Sequence, residues 1–235
     1  MDAKALSLYA LAVLQAYFLG AIPFGFLLVK VIKGIDVRAV GSGNIGATNV
    51  ARVAGIPIGI VSFVLDVAKG FLAATWIPFA MWALAGGAYT ITHWSDILRD
   101  AVAAPGFADL RIACALAAII GHIWTVFLKF KGGKGVATSL GALLGLTPWA
   151  TLVAFAVWIA ATVAFRYISL ASIAAAVALP VAFAFINRAH ISEKWHLLVL
   201  AILVAAIVII RHRTNIRRLL SGTEYRLSFR RRQKT

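Results

Sequence analysis

The chain has 235 residues, 62% of them hydrophobic and 13% charged, with a net charge of +15 and a mean hydropathy of +0.93. A soluble domain is about half apolar and about a quarter charged, and a disordered chain is poor in apolar residues, so both classes are excluded. One cysteine, Cys114, excludes a disulfide framework and a Cys-rich metal site; what remains is a basic, all-α polytopic membrane protein.

A helix needs roughly 20 mostly apolar residues to span a bilayer. The first candidate covers about 6–29. It is too long for a signal peptide and lacks a basic leader, having only Lys4 beside Asp2, so it reads as a retained helix. The second covers about 56–82 and carries Asp66 and Lys69. The third covers about 107–128, after a segment 83–106 that reads as an outer loop at the interface, with Tyr89 and Trp94. A long apolar stretch covers 136–165, followed by 168–186 and 195–210.

Charge parity adds a helix. Basic residues collect on the cytoplasmic side, and sixteen of the 23 Lys and Arg fall in three clusters: Lys30, Lys33, Arg38 and Arg52; Lys129, Lys131 and Lys134; and the tail from Arg211. If all three lie inside, an even number of crossings must separate the second cluster from the tail. The 136–165 stretch then splits into two short, broken or tilted helices, turning near Gly145-Leu146-Thr147-Pro148. The expectation is seven helices, N-terminus outside and C-terminus inside. They form a single membrane-embedded domain over 1–235, with a basic cytoplasmic tail, 211–235, contributing to its site.

Three polar segments share the inner side. Gly41-Ser42-Gly43-Asn44-Ile45-Gly46-Ala47-Thr48-Asn49-Val50-Ala51-Arg52 contains the spacing of a dinucleotide fingerprint. That fingerprint requires a preceding strand, and a membrane helix precedes it here. What remains is a glycine-rich turn whose N–H groups can form an anion nest, aided by a helix starting near Asn44. In Lys129-Phe130-Lys131-Gly132-Gly133-Lys134-Gly135, Leu128 and Gly135 stand where a Walker loop needs Gly and Ser or Thr. Its glycines still let backbone approach an oxyanion beside Lys131 and Lys134, and a topology loop needs no such glycines. In the third segment His212 and Asn215 are three apart, with Arg217, Arg218 and Glu224 beyond. Arg230, Arg231 and Arg232 suit anionic lipid. Asp66 and Lys69, at membrane depth, read equally as a structural pair or a functional one.

Together these segments resemble the bacterial integral-membrane glycerol-3-phosphate acyltransferases that use acyl phosphate. Ser42, Gly43, Asn44, Gly46 and Asn49, with Arg52, match the first motif. Asp66, Lys69 and Gly70 match a second segment. Gly121-His122 and the run from Phe127-Leu128 through Phe130 to Thr138 match the next. His212, Asn215-Ile216, Arg218-Leu219, Gly222 and Glu224 match the last. Trp124-Thr125 departs from the family's usual Phe-Pro, and the missing proline bears on a helix kink. Phe127 stands where the soluble-type acyltransferases place an Asp five residues after their His, so that catalytic pair is missing.

The resemblance implies acyl transfer from acyl phosphate to sn-glycerol 3-phosphate, giving lysophosphatidate and inorganic phosphate, the first acylation of phospholipid synthesis. It implies no cofactor, no metal and no nucleic acid. It implies membrane lipids and the enzyme that makes acyl phosphate as partners, in a bacterial inner membrane with the site facing the cytoplasm. Ser42, Thr48 and the backbone around Gly43 are then expected to hold a phosphate and polarise the acyl carbonyl, with Asn44, Gly46 and Asn49 also binding substrate and Arg52 as a charged fork. Lys131, Gly132, Gly133, Lys134 and Gly135 bind glycerol 3-phosphate or the leaving phosphate. His212 and Asn215 orient the acceptor, and either His212 or a substrate phosphate oxygen takes the proton. Asp66, Lys69, His122 and Glu224 are supporting, Glu224 as an ion pair. A phosphometabolite transporter fits less well, because the late helices lack polar residues. A phosphoalcohol transferase would need several intramembrane Asp residues, and a purely structural protein leaves the glycine–lysine loops unexplained.

Overall fold

A computed structural model describes residues 3–84 and 106–227. Among them every regular element is helical. The loop expected over 83–106 and the arginines at 230–232 fall almost wholly outside the described residues. The chain divides into two compact units, Met1–Leu146 and Thr147–Thr235.

The first unit contains α1 (Ala3–Ala21), α2 (Phe24–Lys33), α3 (Ala47–Ala54), α4 (Ile56–Leu84), α5 (Phe107–Ile123) and α6 (Val136–Leu146). The expected first helix is thus broken. Pro23 carries no N–H, and the carbonyls just before it lack intrahelical partners. Side chains from elsewhere take them up: Thr125 Oγ1 donates to Ala21 O at 2.6 Å, and Lys69 Nζ to Ile22 O at 2.8 Å. Pro78 likewise frees the Ala74 carbonyl inside α4, and Arg111 Nε donates to it at 3.0 Å. The same guanidinium donates to Gly145 O near the end of α6. An apolar medium offers these carbonyls no water, so protein donors are required.

Helix α4 is inside-out by soluble standards. Its buried stripe contains Gly59, Ser62, Asp66, Lys69, Gly70 and Ala73, while Ile56, Ile60, Val64, Leu72 and Trp76 are exposed. Polar groups toward protein and aliphatics outward is the pattern of a lipid-facing helix. Small residues set the close crossings. A Cβ on Gly70 would strike Thr138 O, and one on Gly141 would strike Val67 O, so α4 and α6 meet backbone to backbone. Gly20 against Ala118 and Gly121 against Tyr17 do the same for α1 and α5.

The second unit contains α7 (Pro148–Phe165), α8 (Ile168–Ile186), α9 (Trp195–Arg211) and α10 (Arg213–Leu220). Thr147 separates α6 from α7, with Pro148 in the first turn of α7, so the apolar stretch 136–165 is two helices as the charge count requires. Arg166 turns the chain in a left-handed conformation, φ 61°.

The protein is an integral membrane protein. Five helical stretches are long and apolar enough to cross: Ala5–Lys33, Ile56–Leu84, Phe107–Leu128, Pro148–Phe165 and Ile168–Ile186. A sixth is present if α9 and α10, bent by 57°, count together. With 11 residues, α6 is about 16 Å long, half of a hydrocarbon core about 30 Å thick. Seven full-length crossings are therefore not all supplied by long helices.

Candidate active site

The first glycine-rich turn is organised around Asn49, on α3. Its side chain is 2% exposed. Oδ1 accepts from Ser42 N–H at 2.8 Å, and Nδ2 donates to the carbonyls of Asn44, Val37 and Val40 at 2.9, 3.0 and 3.1 Å. Gly41, at φ 65°, leaves room for that amide, where a Cβ would strike Asn49 Oδ1. Asn44 Oδ1 accepts from Gly46 N–H at 2.8 Å, and Gly43 N–H reaches Val40 O. Helix α3 starts at Ala47, three residues beyond the expected point, with Gly46 as its N-cap. The N–H groups of Ser42, Gly43 and Gly46 are thus used inside the turn. What the turn presents is Ser42, exposed, with Thr48 half-buried and Arg52 exposed on α3.

Nearby, Arg38 grips Asp36 as a fork, with contacts of 2.7 to 3.1 Å. The hydrogen bond from Arg38 holds the Asp36 carboxyl below its usual range.

The Lys131–Gly135 segment folds back on the end of α5. Gly132 N–H donates to Ile123 O at 3.1 Å, and Gly133 N–H to His122 O at 3.0 Å. A Cβ on Gly132 would strike His122 O, and one on Gly133 would strike the His122 ring. These glycines therefore permit close packing, and two of the N–H groups expected to face an oxyanion are spent on α5. Lys131 is exposed and Lys134 half-buried. Thr125, where the resembling family places proline, has φ −69°, a value proline also takes, so the backbone here is compatible with either residue.

The two turns are neighbours. Ile45 and Val50 of the first, with Val37 just before it, and Leu128, just before the second, pack in one buried cluster with Val29 of α2. Beneath them, Lys69 Nζ lies 2.7 Å from Asp66 Oδ1, and His122 Nδ1 lies 3.5 Å from the same oxygen. All three side chains are at most 4% exposed.

The third segment lies in the second unit. The last helix does not run straight: it bends at His212, between α9 and α10. His212 is buried, and its Nδ1 is 2.7 Å from Val208 O. A carbonyl only accepts, so Nδ1 carries a proton, and Nε2 is the ring nitrogen left for proton exchange. Glu224 accepts from Asn215 Nδ2 and Arg218 Nε at 2.6 Å each, and from Ser169 Oγ at 2.8 Å. Burial pushes the Glu224 carboxyl up, but these hydrogen bonds outweigh it and hold it below its usual range. Leu227 N–H bonds Arg166 O at 2.7 Å, clipping the tail to the α7–α8 turn.

Sequence reasoning passed over Thr125, Arg111 and Ser169 as contributors. Arg111, a cation near the start of an apolar helix, carried a usable signal. Thr125 and Ser169 carried none.

The family profile described as glycerol-3-phosphate acyltransferase matches residues 10–222. A glycerol-3-phosphate acyltransferase of Geotalea daltonii is 42% identical over 90% of this chain and 94% of its own length. One of Desulforudis audaxviator is also 42% identical, over 92% and 93%. Two crystal structures of PlsY, an integral membrane glycerol 3-phosphate acyltransferase, superpose on the chain. The glycerol 3-phosphate form has a TM-score of 0.74 at 38% identity, covering 94% of this chain and 96% of that one. The lysophosphatidic acid form has a TM-score of 0.71 at 37% identity, covering 94% and 95%. With its two basic glycine-rich turns and its lipid-facing helices, the chain belongs to the glycerol-3-phosphate acyltransferase family of integral membrane enzymes.

Proposed function

We propose that this acyltransferase takes its acyl group from an acyl phosphate and delivers it to the C1 hydroxyl of sn-glycerol 3-phosphate. The products are 1-acyl-sn-glycerol 3-phosphate and inorganic phosphate. One observation carries the reading: Leu128, just before the lysine turn, packs in the same buried cluster as Ile45 and Val50 of the serine–arginine turn and Val37 just before it. The reaction brings two phosphate-bearing substrates together, and these are two cation-bearing turns side by side. The relatives crystallised with glycerol 3-phosphate and with lysophosphatidic acid support the acceptor and the product.

The chemistry asks little beyond placement and charge. The donor is a mixed anhydride, activated already. The C1 oxygen attacks the acyl carbonyl carbon, the bond from that carbon to the phosphate oxygen breaks, and phosphate leaves with the electron pair. Neither a covalent intermediate nor a metal is needed to generate a nucleophile or a leaving group; orientation and stabilisation of developing charge suffice. Ser42, Thr48 and Arg52 hold a phosphate and polarise the acyl carbonyl. Lys131 and Lys134 hold the phosphate of the acceptor or the leaving phosphate, with Gly132, Gly133 and Gly135 shaping their turn. Asn44, Gly46 and Asn49 keep the first turn in shape. In the second unit, Asn215 orients the acceptor and Glu224 supports it. The proton of the C1 hydroxyl goes to His212 Nε2 or to a substrate phosphate oxygen. The basic clusters favour a site at the cytoplasmic face of a bacterial inner membrane, with the donor supplied by an enzyme that makes acyl phosphate.

The test is phosphate release from acyl phosphate by the purified protein in lipid. Release that depends on glycerol 3-phosphate is expected. Release at the same rate without it would make the protein a phosphatase toward the donor.

A further inference from the structure

The lysine turn rests on a buried triad of ionisable side chains that the reaction does not require. The His122 ring lies between two things. On one side its Nδ1 is 3.5 Å from Asp66 Oδ1, which Lys69 Nζ approaches to 2.7 Å. On the other side stands Gly133, where an added Cβ would meet Nε2 first, then Cδ2 and Cε1. The backbone repeats the contact, since Gly133 N–H donates to His122 O at 3.0 Å. Lys69 also binds the Ile22 carbonyl at the Pro23 break and lies 5.6 Å from the Phe24 ring centroid. A continuous line of contacts therefore runs from the α1–α2 break through Lys69, Asp66 and His122 to the glycine between Lys131 and Lys134.

Burying three ionisable groups in an apolar protein is costly, and a packed aliphatic trio would be as good or better for stability alone. An imidazole set against a carboxylate has one advantage over an aliphatic side chain: the attraction between Nδ1 and Asp66 Oδ1, 3.5 Å apart, favours one ring orientation. Gly133 is not in a left-handed conformation, so the ring, not the backbone, forbids a side chain there. We propose that His122, oriented by Asp66 and Lys69, is a positioning residue that sets the place of Lys131 and Lys134 for a substrate phosphate. It touches no substrate itself. The proposal rests on the reading of the lysine turn as the phosphate site for glycerol 3-phosphate.

The test is a double-mutant cycle read in steady-state kinetics, with melting curves on the same samples. His122→Asn keeps an amide nitrogen near Nδ1 for Asp66 and removes Nε2 and Cε1. Gly133→Ala alone should raise KM for glycerol 3-phosphate about tenfold or more, because displacement of a positioning group by about 1 Å costs up to about 10²-fold. kcat should stay within about threefold. His122→Asn alone should raise KM a few-fold. In His122→Asn/Gly133→Ala the methyl has room, so KM should match His122→Asn alone. A product of the two single effects would overturn the proposal. If Gly133→Ala folds poorly, the melting temperature carries the same cycle, and recovery in the double variant is expected. Lys134→Gln separates the underlying reading: an unchanged KM there removes the phosphate site and the proposal with it. A raised KM with an additive cycle removes the positioning role alone.

Discussion

Asn49→Asp is nearly isosteric and should disable the first turn without unfolding the protein. The Asn49 Nδ2 group serves three carbonyls, Asn44, Val37 and Val40, at 2.9 to 3.1 Å, and Oδ1 holds Ser42 N–H at 2.8 Å. A carboxylate keeps the last bond, loses the other three and points charge at three carbonyl oxygens. The two hydrogens of Nδ2 are shared among these carbonyls, so at about 1 kcal/mol net per hydrogen bond the loss is about 2 kcal/mol, rising to about 3 kcal/mol with charge repulsion. That is a fraction of a typical stability of about 5–15 kcal/mol, so helices α4 and α5 should persist. Locally it is decisive, because about 3 kcal/mol corresponds to roughly a hundredfold shift toward the open turn. Amide exchange at Ser42 should accelerate by about that factor, with acyltransferase turnover lost and the melting temperature moving little. Wild-type exchange at Ser42 together with wild-type turnover would refute the role assigned to Asn49.

Other perturbations test other links. Gly141→Val drives a side chain into Val67 O at the α4–α6 crossing and should cost about 1–3 kcal/mol or more, seen as a lower melting temperature in detergent; an unchanged melt would deny the backbone contact. Glu224 has a lowered folded pKa, so its contribution is present above its ordinary value of 4.5 and is lost as pH falls through the folded value. Melting temperature should therefore drop on acidification below about 4.5 in the native protein, and Glu224→Gln should flatten that drop. His212→Ala should lower kcat by about 10²–10⁴-fold and remove the acid limb of the pH–rate profile. Full activity with an unaltered profile would leave the proton to a substrate phosphate oxygen.

The parts legible in the sequence are those with a local cause. The break at Thr147-Pro148 follows from charge parity and turn residues, and α8 (Ile168–Ile186) follows from an uninterrupted apolar run. The polar stripe of α4 was announced by Asp66 and Lys69 at a spacing of three. The site was harder, because its chemistry and its scaffold use the same residue types. Glycines and amide donors in the two turns suggest an anion nest, yet Asn49 and the end of α5 take up the N–H groups of Ser42, Gly132 and Gly133. Those partners lie up to 11 residues away and depend on the fold. The same holds for Thr125, whose partner Ala21 is 104 residues distant, and for Arg111, which answers a carbonyl freed by Pro78 on another helix. No periodicity encodes such pairings; only the packed helices bring them together.

The central claim concerns the donor as much as the acceptor. The most direct measurement incubates the purified protein in lipid with glycerol 3-phosphate and one of three donors of equal chain length: acyl phosphate, acyl-coenzyme A or an acyl carrier protein thioester. Lysophosphatidate and inorganic phosphate are followed together. One phosphate released per lysophosphatidate formed, from acyl phosphate alone, is the predicted result; equal use of a thioester would contradict it.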